Sequence, residues 1–208
     1  MKATFKSRLG FGFVSLLLAA ATTIAAPTFA QAAPQIYTGS GDAVVDITPI
    51  KNASILKVSF TGDSAFVVRP IDSTGKEGIS LVLEIGPFEG TVFQSAVSKA
   101  VVALSVKAEG DWSIAVSPVA SAPVVGTKNV SGTGSAVVQW AKASTGYKKI
   151  AFTSDGEGAF VVRPIDAKGK ERFSMVLNVG PYTGSVLLPS GTKYLKITSD
   201  GNWTFNVK

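Results

Sequence analysis

The chain contains two copies of one sequence unit. Residues 66–93 align without a gap to residues 160–187, and 17 of the 28 aligned positions are identical. The first seven residues of both stretches read Phe-Val-Val-Arg-Pro-Ile-Asp. Because each copy spans only about 80 residues, the repeat predicts two small domains of one fold rather than a single large domain.

The repeat also sets the domain boundaries. Both copies open with a Gly-x-Gly pattern and close with Gly followed by Asp or Asn and then Trp. The segment between them contains Pro, Ala and Val and is typical of a short, semi-stiff linker. We therefore predict repeat 1 over 34–117, a linker over 118–130 and repeat 2 over 131–208, with each repeat folding on its own.

Apolar residues alternate within each copy with a period of two. In residues 79–85 every odd position is apolar, and Trp203, Phe205 and Val207 alternate in the same way. This period predicts half-buried antiparallel strands and hence an all-β fold, with two tandem antiparallel β-sandwich domains that are immunoglobulin-like or jelly-roll-like. We predict about seven strands in each, which in repeat 1 are 42–48, 54–61, 65–71, 78–85, 90–94, 100–107 and 111–117.

The recurring motifs resemble those of a known kind of domain. Gly-Ser-Gly-Asp, Phe-Val-Val, Ile-Asp, Gly-Pro-Phe/Tyr-x-Gly and Asp/Asn-Trp occur in this order over most of 38–117, and close variants of them occur over 131–208. This set resembles an uncharacterised β-sandwich domain of secreted actinobacterial proteins. The resemblance implies an exported β-sandwich, and it carries no catalytic or binding residue over to this chain.

Residues 1–32 have the three parts of a secretory signal peptide. Lys2, Lys6 and Arg8 form a positive start, residues 9–26 are uncharged and mostly apolar, and two small-x-small cleavage sites follow. We therefore predict that this segment is removed on export, without stable membrane insertion of the product. The product is then secreted and extracellular, or associated with the cell surface. An uncleaved membrane anchor is the alternative.

The chain contains no His and no Cys. Their absence excludes Ser-His-Asp and Cys-His catalytic sets, His-ligated metals, zinc clusters and disulfides. We predict no catalytic residue, no bound metal and no cofactor. A small secreted hydrolase that works with two carboxylates is the least favoured alternative.

Arg69 and Arg163 are two of the five candidate ligand-binding residues. Each lies among apolar neighbours on a predicted strand. There the guanidinium group either pairs with an acid of the same hairpin, such as Glu77 or Glu171, or holds the carboxylate or phosphate of a ligand.

The other three candidates follow the same strand in repeat 2. Lys168, Lys170 and Arg172 alternate, so in an extended hairpin arm their side chains point to one side. The preceding aspartates, Asp72 and Asp166, each stand three residues before a glycine. This spacing predicts a turn-capping role, with calcium ligation as the alternative.

The aromatic residues suggest a second kind of ligand site. Trp112 and Trp203 alternate with apolar residues, which predicts that both lie in the core. The alternative is a platform on which sugar rings stack. Trp140 and Tyr147 occur only in repeat 2, so repeat 2 is the better candidate for binding a glycan.

The two halves of the chain differ in charge. Residues 34–121 hold six Lys and Arg against nine Asp and Glu, whereas residues 122–208 hold eleven against five. This asymmetry favours a secreted, non-catalytic binding or adhesion module that recognises an anionic polysaccharide or another cell-envelope component. The alternative is a structural surface or matrix protein that self-associates through its oppositely charged repeats. Export and the lack of a basic helix disfavour a nucleic-acid partner.

Overall fold

The structure, a computed structural model, describes residues 33–208. The predicted signal peptide, 1–32, lies outside the described residues. Within 33–208 the regular structure is β-strand with one short 3₁₀ helix, and no helix there is long and apolar enough to span a membrane.

Repeat 1 consists of eight short strands with alternately buried side chains. In the fourth strand Phe66, Val68 and Pro70 are buried, and the residues between them are exposed or half-buried. Such alternation places one face of a sheet on the core. The strands are β1 (Gln35–Ser40), β2 (Ala43–Ile50), β3 (Ser54–Phe60), β4 (Ala65–Asp72), β5 (Val82–Ile85), β6 (Phe88–Gln94), β7 (Val101–Lys107) and β8 (Asp111–Pro118).

Repeat 2 repeats this order strand for strand. A 3₁₀ helix, η1 (Val119–Ser121), lies between the two sets. The strands of repeat 2 are β9 (Val130–Thr133), β10 (Ala136–Gln139), β11 (Lys148–Ser154), β12 (Ala159–Asp166), β13 (Val176–Val179), β14 (Tyr182–Leu188), β15 (Thr192–Thr198) and β16 (Asn202–Val207).

Strand pairing within each repeat is nested. In repeat 1 the first strand pairs with the eighth, the second with the seventh, the third with the sixth and the fourth with the fifth. The two antiparallel sheets have the orders β1-β8-β3-β6 and β2-β7-β4-β5, and repeat 2 has the equivalent pair. Eight strands in two such sheets form a jelly roll. The prediction of two tandem antiparallel sandwiches is confirmed, and the pairing order selects the jelly-roll-like alternative.

Two strand predictions need correction. Each repeat has eight strands rather than seven, because β1 pairs with β8 although its own side chains are mostly exposed and show no apolar alternation. The predicted strand 78–85 is also too long, since β5 begins only at Val82. Its apolar phase is reversed: Val82 is buried, whereas Ile79, Leu83 and Ile85 are exposed.

Each repeat encloses its own hydrophobic core. The core of repeat 1 contains Leu56, Val58, Phe66 and Leu104, and a separate cluster in repeat 2 contains the corresponding residues of that copy. Two separate cores are consistent with the hypothesis that each repeat folds on its own, which stays a prediction.

The tryptophans lie inside these cores. Trp112 and Trp203 are 3% and 2% exposed. In each repeat the indole Nε1–H donates a hydrogen bond of 2.9 Å to a glycine carbonyl, that of Gly41 or Gly134. The Gly-x-Gly opening makes room for the ring, because a Cβ on Gly132 would lie 2.2 Å from Trp203. The predicted core position is confirmed, and sugar stacking on these two rings is excluded by their burial.

A third buried cluster joins the two repeats, which belong to one compact unit of the described chain. Ile55 on β3 and Phe93 on β6 point away from the core of repeat 1. They join Val137, Ile165 and Tyr194, which lie on the outer face of the β10-β15-β12-β13 sheet of repeat 2. One sheet of repeat 1 therefore packs on one sheet of repeat 2.

The segment between the repeats belongs to this junction. Val119 and Ala122 are buried in the third cluster. The side-chain amide of Gln139 on β10 donates hydrogen bonds of 2.8 and 2.7 Å to the carbonyl groups of Ala120 and Ala122. The predicted linker is therefore held against the repeats in this part rather than being a solvated spacer.

Glu84 on β5 provides a pH test of the junction. Its partner in register is the buried Phe66, so its carboxylate lies toward the inner side of the sheet. Burial raises the pKa of Glu84, and the negative charge of Asp200 in repeat 2 raises it further. The folded state therefore binds this proton more tightly than the unfolded chain, and ionisation of Glu84 destabilises the fold at neutral pH.

We expect Glu84→Gln to raise the free energy of unfolding at pH 7 by less than about 1 kcal/mol, because solvent screens this partly exposed group. The wild-type protein should gain stability as the pH falls through the raised pKa toward the ordinary value, and the variant should lack that gain. Urea melts across the acidic range measure both effects. Glu109→Gln removes one exposed acid from repeat 1 as a charge control, and an equal effect of that variant would contradict the assignment.

Candidate functional site

Arg69 and Arg163 occupy equivalent places on β4 and β12, and each pairs with the glutamate eight residues later. The Arg69 Nη1 to Glu77 Oε2 distance is 3.3 Å, and the Arg163 Nη1 to Glu171 Oε1 distance is 2.8 Å. Arg69 also donates a hydrogen bond to the Ser80 hydroxyl. Of the partners considered from the sequence, the glutamates are therefore the ones used.

Repeat 2 adds a second cation to this pair. The Nζ of Lys196 on β15 lies 3.7 Å from the Glu171 Oε1 atom that also contacts Arg163. Lys196 is mostly buried, and burial lowers the pKa of its ammonium group, an effect that the Glu171 carboxylate partly offsets. The register partner of Arg69 in repeat 1 is Ser105, which carries no charge. Two cations therefore share one carboxylate in repeat 2, whereas the equivalent glutamate of repeat 1 contacts one cation.

These three charged residues face a cleft between the repeats, with a volume of about 500 Å³. We call it the inter-repeat cleft. Its repeat 1 wall comes from the ends of β4 and β6 and the segments that follow them, and its repeat 2 wall consists of Arg163, Glu171 and Lys196. The charged residues of the repeat 1 wall are two acids and two lysines: Asp72, Glu77, Lys76 and Lys99. Each repeat contributes one wall, so the cleft exists only when the two repeats pack together.

Gln94, at the end of β6, lines the same cleft. Its side chain is buried at 7% exposure, and its Nε2 donates to the Ser95 carbonyl at 2.9 Å. Its Oε1 is a buried acceptor without a hydrogen-bond partner in the described chain. A buried polar atom of this kind normally has a partner, and this one is closed to solvent, so it does not offer an acceptor to a ligand in the cleft.

The remaining candidates lie beside the cleft. Lys170 and Arg172 line a shallow depression together with Arg163 and Glu171. Lys168 is exposed in the turn that follows β12, so the predicted strand-like alternation does not apply to it. Arg172 also donates to the Ser190 carbonyl at 3.1 Å. The structure thus groups Lys170, Arg172 and Arg163.

Arg69 is separate from that group, since it does not line the inter-repeat cleft. It lies on the equivalent face of repeat 1 with its own partners. Its partners Glu77 and Ser80 do line the cleft, so Arg69 contacts the repeat 1 wall from behind.

The aspartates before these residues organise their turns. Asp166 Oδ1 accepts backbone hydrogen bonds from Lys168 at 2.9 Å and Lys170 at 3.0 Å. Asp72 accepts from the hydroxyl and the backbone N–H of Thr74, which lower the pKa of the Asp72 carboxyl. These bonds show the predicted turn-capping role.

Two features of the surface were not predicted from the sequence. Lys196 follows a buried leucine in an ordinary alternating strand, and nothing in that pattern indicates an ion pair with Glu171. The exposed apolar residues of β5 and β13 read as core positions, although Leu83 and Leu177 are 69% and 76% exposed. One sequence difference could have indicated the ion pair. Repeat 2 has a charged lysine, Lys196, where repeat 1 has Ser105, although the surrounding residues of the two repeats match.

Comparison with known proteins gives weak likenesses. No known protein-family profile matches the chain, and no curated protein matches it. Among solved structures, one match is a conserved protein of unknown function from Pseudomonas aeruginosa PAO1, with 9% identity, a TM-score of 0.25, and coverage of 83% of this chain and 80% of that chain. No family is shown by this match.

Two further solved structures match at similar scores. One is described as cAMP-bound PfPKA-R, with 8% identity, a TM-score of 0.24, and coverage of 84% of this chain and 70% of that chain. The other is the regulatory subunit of a cAMP-independent protein kinase A from Trypanosoma cruzi bound to guanosine, with 10% identity, a TM-score of 0.21, and coverage of 84% and 72%. At these scores the likenesses carry no inference about function. What stands is a chain of two tandem all-β domains.

Proposed function

We propose that this chain is an exported, non-catalytic binding module that holds an anionic polysaccharide or other acidic polymer of the cell envelope in the inter-repeat cleft. The observation that carries the proposal is the cluster in which Arg163 and Lys196 share the single carboxylate of Glu171. This cluster has an excess positive charge in a partly desolvated cleft. An acidic group of the ligand would neutralise that excess.

The surroundings of the cluster favour a polymer over a small ion. Lys170 and Arg172 extend the basic surface beyond the cleft, so successive acidic groups along one chain have further cations to meet. A polysaccharide with acidic groups on successive sugars supplies such a series along one chain. Because these contacts are largely ionic and partly exposed, we expect binding to weaken as salt rises.

We expect Lys196→Ser to weaken the binding of an acidic polysaccharide about tenfold, because it removes one charge-assisted contact worth roughly 1.4 kcal/mol. Serine is the residue that repeat 1 carries at the equivalent place. The measurement is titration calorimetry with alginate as an acidic probe at low and at physiological salt. Thermal melts verify that the variant is folded.

Lys57→Ser is the matched control, because it makes the same change at a lysine whose ion pair with Glu89 lies outside the cleft. It should bind like the wild type. Equal losses in both variants, or binding that does not respond to salt, would overturn the cleft as the contact. A neutral glucan that binds as tightly as alginate would remove the anionic specificity.

A further inference from the structure

Each repeat exposes three large apolar side chains at equivalent positions. In repeat 1 they are Ile79 at 91%, Leu83 at 69% and Ile85 at 86% exposure; we call this set stripe 1. In repeat 2 they are Phe173 at 98%, Leu177 at 76% and Val179 at 80%; we call this set stripe 2. A single exposed apolar residue is ordinary, whereas a matched set that occurs twice in one chain marks an interaction surface.

Strand register places the stripe residues of β5 and β13 on the outer side of their sheets. Leu83 lies opposite Val67 of β4, and Leu177 lies opposite Val161 of β12. Because directly opposite residues share one face, each stripe continues an apolar patch on the neighbouring strand. The buried residues of these strands, such as Val82, point the other way into the core.

Leu83 and Ile85 of stripe 1 and Leu177 and Val179 of stripe 2 lie on edge strands, whereas Ile79 and Phe173 precede these strands. In the described chain β5 pairs only with β4, and β13 pairs only with β12. The free edge of such a strand presents backbone N–H and C=O groups, which favour pairing with a further strand. On β13 the Val179 carbonyl also accepts a hydrogen bond from the Asn178 side chain at 3.1 Å. Both strands are four residues long, and neither contains Lys or Pro, which commonly block such edges.

We propose that β5 of one copy of this chain pairs edge to edge with β13 of a second copy, so that stripe 1 packs against stripe 2. This inference stands on the stripes; Ile79 of stripe 1 also lines the inter-repeat cleft, whereas Leu83 and Leu177, which the test changes, do not. Such a contact is heterologous: the two partners use different surfaces. Each copy keeps one free β5 and one free β13, so the assembly grows into open chains unless its geometry closes a ring.

Charge favours this pairing over a pairing of like strands. Repeat 1 has an excess of acids and repeat 2 an excess of bases, so β5 and β13 belong to surfaces of opposite sign. Between Leu83 and Ile85 stands Glu84, and between the equivalent residues of repeat 2 stands Asn178. Two β5 strands would bring two Glu84 carboxylates together, whereas β5 beside β13 places a carboxylate near an amide.

The same charges disfavour a lipid surface as the occupant. An anionic bilayer attracts repeat 2 but repels repeat 1, although repeat 1 carries an equally apolar stripe. A partner that fits both stripes is basic where it contacts stripe 1 and acidic where it contacts stripe 2. A second copy of the chain meets this requirement, because its repeat 2 is basic and its repeat 1 is acidic.

Sedimentation velocity of the chain 33–208 over a range of concentrations tests the proposal. The average mass should rise with concentration in the wild type, while Leu83→Lys and Leu177→Lys should each remain monomeric. Both side chains are exposed, so neither change is expected to unfold the protein. Mixing the two variants should give dimers and nothing larger, because one retains a functional β13 and the other a functional β5.

Several results would overturn this arrangement. Dimers of Leu177→Lys alone would show that β5 pairs with itself. A wild type that stays monomeric at high concentration would remove the contact. The matched control is Val44→Lys on β2, the opposite edge of the same sheet, where Val44 is also 69% exposed. A loss of assembly in the Val44→Lys variant would indicate non-specific hydrophobic association. If the wild type is monomeric but co-sediments with phosphatidylglycerol vesicles, the stripes bind a lipid surface instead.

Discussion

Replacement of Trp203 by alanine is expected to lower the free energy of unfolding by about 3–5 kcal/mol. The side chain is 2% exposed, and its ring stacks on Phe205 with centroids 6.1 Å apart. Truncation leaves a cavity beside Gly132, whose missing Cβ makes room for the ring. It also leaves the Gly134 carbonyl without its indole donor. A urea melt followed by circular dichroism measures the loss.

Two further variants separate the causes of this effect. Trp203→Phe keeps most of the volume and loses the Nε1–H donor, so its cost should be about 1–3 kcal/mol. Tyr147→Ala changes an aromatic residue that is 73% exposed and should alter stability by less than about 0.5 kcal/mol. A near-neutral Trp203→Ala would place the ring at the surface and return sugar stacking to consideration.

The sequence predicts this tryptophan correctly because the pattern around it is regular. Trp203 and Phe205 alternate with polar residues on β16, and both are buried. In a strand with one face in water, polar residues mark the solvent side, so the apolar residues mark the core. The same argument predicts the positions of Leu195 and Ile197 on β15.

The argument fails for β5 because the solvent side there is also apolar. Leu83 and Ile85 read as core positions, yet register with β4 buries Val82 and exposes its neighbours. When both faces of a strand are apolar, alternation no longer indicates which face is inside. Register is then set by the neighbouring strand, and a shift of one residue exchanges the faces.

The junction between the repeats could not be predicted from the sequence, for a different reason. Ile55, Ile165 and Tyr194 are apolar residues next to core residues, and their pattern does not distinguish an outer face covered by another domain from an inner one. The ion pair of Lys196 with Glu171 likewise joins residues from two strands whose adjacency is known only from the fold. The repeat predicts two domains but not how they contact each other.

Gly169→Ala is expected to reduce the free energy of unfolding by about 2–5 kcal/mol, and Gly75→Ala at the equivalent turn by about 1–2 kcal/mol. Both glycines have positive φ, 77° and 80°, so an alanine at either site is strained by a similar amount. The space around them differs. A Cβ on Gly75 meets nothing within 4 Å, whereas a Cβ on Gly169 would lie 2.2 Å from the Cβ of Ala53 in repeat 1.

The extra cost at Gly169 therefore measures the contact between the repeats, because overpacking of a buried site adds about 1–3 kcal/mol. The double variant Ala53→Gly/Gly169→Ala removes the opposing Cβ and should recover that extra cost, leaving the φ strain that Gly75→Ala also shows. Urea melts of the wild type, the two single variants Ala53→Gly and Gly169→Ala, and the double variant give the coupling energy between the two sites. If Gly169→Ala lowers stability no more than Gly75→Ala does, or if adding Ala53→Gly restores no stability, the turn at Gly169 does not contact repeat 1. The inter-repeat cleft would then lack the packed junction that forms its two walls.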